Sequence, residues 1–60
     1  MITAKQAVKA CILAQFLTSA GLSITTFRYY RGRREIFIEV GYNGEIAVLI
    51  DEQGEITNVQ

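Results

Sequence analysis

The hydrophobic period of this chain changes once, near Gly21, and every later break in it carries a glycine and is very short. Before that point apolar residues recur at helical spacing; after it they alternate. Residues 22–30, 35–41, 45–51 and 55–59 are rich in β-branched and aromatic side chains and read as strands. Their separators are Arg31-Gly32-Arg33, Tyr42-Asn43-Gly44 and Glu52-Gln53-Gly54. A parallel crossover needs about a dozen residues or more, so each strand must return beside the previous one as a hairpin. The expected fold class is therefore α+β: one N-terminal helix packed on a three- to four-stranded antiparallel meander, forming a single domain over residues 1–60.

The helix has clear ends. Thr3 followed by Gln6 is a capping-box pattern, in which the hydroxyl and the amide side chain each satisfy an orphan backbone donor. Residues 4 to about 20 are mostly good helix formers, and Gly21 stands where a left-handed residue closes a helix. The faces are less ordinary. Ala7, Ala10, Cys11, Ala14 and Leu17 line one side, which makes Cys11 a small buried hydrophobe. Val8, Ile12 and Phe16 form a second apolar row roughly opposite, beside Lys5 and Lys9. A surface helix needs only one apolar stripe, so the second row is expected to meet another molecule.

The register of the middle hairpin follows from its side chains. A three-residue loop with Gly44 left-handed pairs Val40 with Ile46, Ile38 with Val48 and Ile36 with Ile50. That collects six branched aliphatics on one face, and a slip of one residue would scatter them. The same loop chemistry at Gly54 adds Ile56, and a two-residue turn containing Gly32 would add Phe27 and Tyr29. The first hairpin's register is less determined than the other two. The opposite face keeps Phe37 and Leu49 among charged residues.

Sixty residues bury little apolar surface, and such chains usually need a disulfide, a metal or a partner. The lone Cys11 cannot form an internal disulfide, and without histidine a zinc site has few good ligands. A partner chain is the remaining supplement. No targeting signal is visible and no apolar run is long enough for a membrane span, so a cytoplasmic location is expected.

Catalytic chemistry finds little support. Ser-His and Cys-His arrangements are impossible without histidine. Asp51, Glu52 and Glu55 surround a glycine turn at spacings that suit a hairpin rather than a calcium loop. The chain reads as a non-enzyme without catalytic residues, metal or cofactor. The net charge is zero, yet all six cations precede all six anions. Four of the cations, Arg28, Arg31, Arg33 and Arg34, surround the first hairpin turn together with Tyr29 and Tyr30. Arginine offers a planar fork to phosphates and tyrosine a stacking face, so Arg28, Tyr30, Arg31, Arg33 and Arg34 form a candidate anion or nucleic-acid site. The same residues can instead pair with Glu35 or Glu39 and protect a sheet edge.

The order helix, three strands and a closing "VLIDEQGEITNV", with a helix starting near "ITAKQAV", resembles a PepSY-type domain over nearly the whole chain. That resemblance implies binding to, or inhibition of, peptidases. The stretch "QAVKACILAQFLTSAGLSITTFRYY" and the strands after it are also similar to short uncharacterised proteins common in cyanobacteria. The function expected from the residues is non-catalytic interaction: a homodimer or higher homo-oligomer, or binding to another protein, through Val8, Ile12, Phe16, Phe37 and Leu49. Nucleic-acid or anion binding at the arginine hairpin is the alternative, and no membrane partner is expected.

Overall fold

A computed structural model describes residues 1–41 and 46–59. Helix α1 spans Ala4–Ser19, and four strands follow: β1 Ile24–Tyr30, β2 Glu35–Val40, β3 Ile46–Ile50 and β4 Ile56–Asn58. They form one antiparallel sheet in the order β1-β2-β3-β4, with the helix lying across β1, β2 and β3. The α+β meander expected from the sequence is the observed fold.

Both helix ends are built as the residue pattern implies. Thr3 Oγ1 accepts from the Gln6 amide at 3.1 Å while Gln6 Oε1 accepts from the Thr3 amide at 2.9 Å. At the other end Gly21 has φ +83°, the Gly21 amide donates to Thr18 O and the Leu22 amide to Leu17 O. This is a Schellman closure, and Leu17 and Leu22 both join the core beside it.

The strand registers also agree. Ile36, Ile38 and Val40 face Ile50, Val48 and Ile46, as the burial pattern demanded. The loop expected at Tyr42-Asn43-Gly44 lies outside the described residues. Ile50 pairs with Ile56, the Asp51 amide donates to Glu55 O at 3.0 Å, and within the three residues 52–54 so enclosed Gly54 has φ +83°. Asp51 Oδ1 accepts from the amides of Gln53 and Glu55 and holds that loop shut. Tyr29 pairs with Ile36 and Phe27 with Ile38, which settles the first hairpin. Strand β1 begins later than expected, and a register shift lies between Ile24 and Thr26.

The core differs from expectation in two ways. The helix presents Gln6, Ala10 and Leu17 to the sheet, with Leu13 packed beside them, whereas Ala7 and Cys11 are exposed. At 100° per residue this is a rotation of roughly 60° from the expected face. The cause is polar. Gln6 is fully buried, and its Nε2 donates to Arg34 O at 2.7 Å and Ile50 O at 3.2 Å. The Arg34 carbonyl, in the turn before β2, and the Ile50 carbonyl, at the end of β3, both need a donor under the helix, and Gln6 is the polar side chain buried on this face. Second, Phe27 and Ile56 occupy core-face positions yet remain 52% and 44% exposed. A helix about 10 Å wide cannot roof a sheet whose edge strands lie roughly 14 Å apart.

Candidate interaction surface

The exposed helix face is where polar sequence logic fails. Val8, Ile12 and Phe16 are 59%, 57% and 68% exposed, so the second apolar row is not covered by the chain's own sheet. The sixteen helical residues contain no carboxylate, and Lys5 and Lys9 flank the row. Helical spacing brings Phe16 round to the same flank as those two lysines.

Along that flank runs an open groove of 660 Å³ between the helix and the last hairpin. Its helix wall includes Lys5, Val8 and Lys9, and its opposite wall Gln53, Gly54 and Ile56. Lys5 Nζ reaches Gln53 Oε1 at 3.3 Å, and Thr3 Oγ1 donates to Glu52 O at 2.8 Å, so the groove's closed end is tied by hydrogen bonds. Gly54 is buried there, and a β-carbon on it would lie 3.1 Å from Lys5 O. Residue pattern alone marked Val8 as available but gave no sign of the groove, because its walls are separated by more than forty positions in the chain.

Phe37 and Leu49, the other expected contact residues, lie together on the outer sheet face and pair directly. Their exposure differs. Leu49 is only 8% exposed, between Phe37 and Thr57, and the Phe37 ring sits 5.8 Å from that of Tyr30. Neighbours on the same face cover Leu49, while Phe37 stays half-buried on the mixed outer face that the sequence implies.

The arginine hairpin divides into engaged and free cations. Arg33 Nε lies 2.9 Å from Glu35 Oε1, an oxygen shielded from solvent, and Arg34 Nη1 lies 3.8 Å from Glu52 Oε2. Both arginine side chains are largely exposed, so these pairs contribute little to stability. Glu39 accepts from Thr26 Oγ1 at 3.1 Å rather than from an arginine. Arg28 and Arg31 have no ion pair among the described residues. A hollow of 440 Å³ at the hairpin is lined by Tyr30, Arg31, Gly32 and Arg33. Tyr30 shares its ring contact with Phe37, and Arg34 has φ 55°, which turns the chain into β2. Arg28, opposite Phe37 in the register, is therefore on the outer face and apart from the tip.

Among the described residues no group of acidic or cysteine side chains is placed to hold a metal ion, and no helix is long and apolar enough to cross a membrane. No curated protein and no solved structure matches the chain. Residues 1–57 match the model of a family described as a domain of unknown function, DUF6888, and the model covers the helix, the first three strands and the start of the fourth. The chain belongs to the DUF6888 family.

Proposed function

We propose that this protein is a small, non-catalytic interaction module that acts in the cytoplasm by self-association through the exposed face of α1. The exposure of Val8, Ile12 and Phe16 in one row carries this reading. Scattered exposed apolar residues are ordinary, whereas a contiguous row beside a groove is a usual mark of a docking surface. The marginal core of so short a chain adds to it, since association stabilises the folded form. Sedimentation equilibrium tests the proposal. A concentration-dependent dimer is expected, and Val8→Lys should weaken it; a monomer at several hundred micromolar rejects self-association.

A second reading rests on the hairpin hollow, where Arg31 and Arg33 flank Tyr30. Binding of a phosphate-bearing partner there would fall steeply with added salt and drop on replacing both arginines by alanine. Arg33 and Arg34 already face Glu35 and Glu52, which leaves less free positive charge than the run of four arginines suggests. No mobility shift with DNA or RNA at low salt would reject it.

A further inference from the structure

The exposed helix row is close to a palindrome in position, and this specifies how a second copy fits. Val8 and Phe16 each lie four residues from Ile12, hence about 6 Å along the axis in opposite directions. We infer that two copies pair α1 against α1, antiparallel about a two-fold axis at Ile12, with each Phe16 seated in the groove of the other copy. This inference rests on the self-association reading and adds its geometry.

Three observations lead to it. The two-fold operation keeps equivalent flanks together while reversing height, so Phe16 of one copy meets the Val8 and Lys5 end of its partner. That end is where the groove lies, and Phe16 is on the lysine-bearing flank that opens into it. The groove is open to solvent rather than enclosed, so no lid stands between a ring and its walls. Ile56, 44% exposed in the opposite wall, gives the ring an apolar seat.

Charge selects the antiparallel sense. With Ile12 on the axis, Lys9 comes opposite Gln15 and Lys5 opposite Ser19, so no like charges meet. A parallel pair would bring Lys5 against Lys5 at the seam with no carboxylate on the helix to separate them. Area is the third argument. Val8, Ile12, Phe16 and Ile56 leave roughly 400 Å² exposed per copy, about 800 Å² for a pair before the lysine stems are added, which lies in the range of weak, transient interfaces. A contact of that size fits a weak, reversible dimer rather than a permanent one.

The test combines mass and cross-linking on the full chain. Sedimentation equilibrium from about 10 to about 500 µM should show a monomer–dimer equilibrium, weakened on the order of 30-fold by Phe16→Ala, which removes the ring without adding a charge beside the partner's lysines. Phe16 is 68% exposed, so this variant keeps the fold, which circular dichroism verifies. On a Cys11→Ser background, Ile12→Cys should form a disulfide dimer readily, because α-carbons on the axis of two helices about 9 Å apart are roughly 5 Å from each other. Thr18→Cys on the same background, about 18 Å from its mate, should not. If the dimer is as tight with Phe16→Ala, or position 12 cross-links no faster than position 18, the paired-helix geometry is overturned while self-association stands. If the wild type stays monomeric across the range, both are overturned.

Discussion

Replacing Gln6 by methionine should remove much of this protein's stability while leaving the core's volume nearly unchanged. The amide makes three hydrogen bonds inside the protein: Nε2 to Arg34 O at 2.7 Å, Nε2 to Ile50 O at 3.2 Å, and Oε1 from the Thr3 amide at 2.9 Å. Each such bond contributes about 1 kcal/mol net, and a buried acceptor left bare costs about 1–3 kcal/mol. Thr3 is half-buried and the second lone pairs of the carbonyls give partial relief, so Gln6→Met should cost about 2–3 kcal/mol. A single core of this size rarely supplies more than about 3–5 kcal/mol in all. With a urea dependence of about 1 kcal/mol per molar, the unfolding midpoint should fall by roughly 2 M or more. Urea titration followed by far-ultraviolet circular dichroism at low protein concentration measures this directly. Gln6→Glu provides a second reading of the same site. Two of the three partners are acceptors, so a carboxyl there must stay protonated to donate, and its folded-state affinity for the proton is raised above that in the unfolded chain. The native state then binds more protons, and stability should fall as pH rises from about 4 to 7. A loss under about 0.5 kcal/mol for Gln6→Met would refute the reasoning, by showing that those carbonyls find other donors.

Two glycines separate backbone strain from crowding. Gly21→Ala meets open space and should cost only the left-handed backbone term, about 1 kcal/mol, whereas Gly54→Ala adds a 3.1 Å contact with Lys5 O and should cost about 2–3 kcal/mol. Equal losses by denaturant titration would show that the helix and last hairpin yield freely at that contact. Phe27 and Ile38 face each other in the register, but Phe27 is 52% exposed and Ile38 fully buried. Phe27→Ala should therefore cost under about 1 kcal/mol and Ile38→Ala about 3–4 kcal/mol, and a large loss at Phe27 would mean that the helix covers the β1 edge after all.

The helix boundaries, the meander and the registers of the second and third hairpins were legible in the residues, whereas the register of the first was settled only by the structure. Capping boxes, left-handed glycines and the two hydrophobic periods act through the backbone of a few neighbouring residues, so nothing distant can alter them. The candidate surface was legible by half. The row of Val8, Ile12 and Phe16 is a matter of helical spacing, and its exposure agrees with one helix face being enough for one sheet. The burial of Leu49 was not legible, because its cover comes from Phe37 and Thr57 across neighbouring strands, and hydropathy along one strand does not record it. Two of the four arginines proved to face Glu35 and Glu52, which depends on how the turn folds back.

Local sequence thus determined which elements form and how the strands align, since those choices are made by backbone conformation and side-chain alternation. Tertiary structure decided which face of the helix meets the sheet. Gln6 turns inward to reach carbonyls 28 and 44 residues away, and that rotation exposes Cys11 and swings Phe16 to the groove flank. The groove itself arises because one helix is narrower than a four-stranded sheet, a mismatch of widths that exists only once the two are packed together.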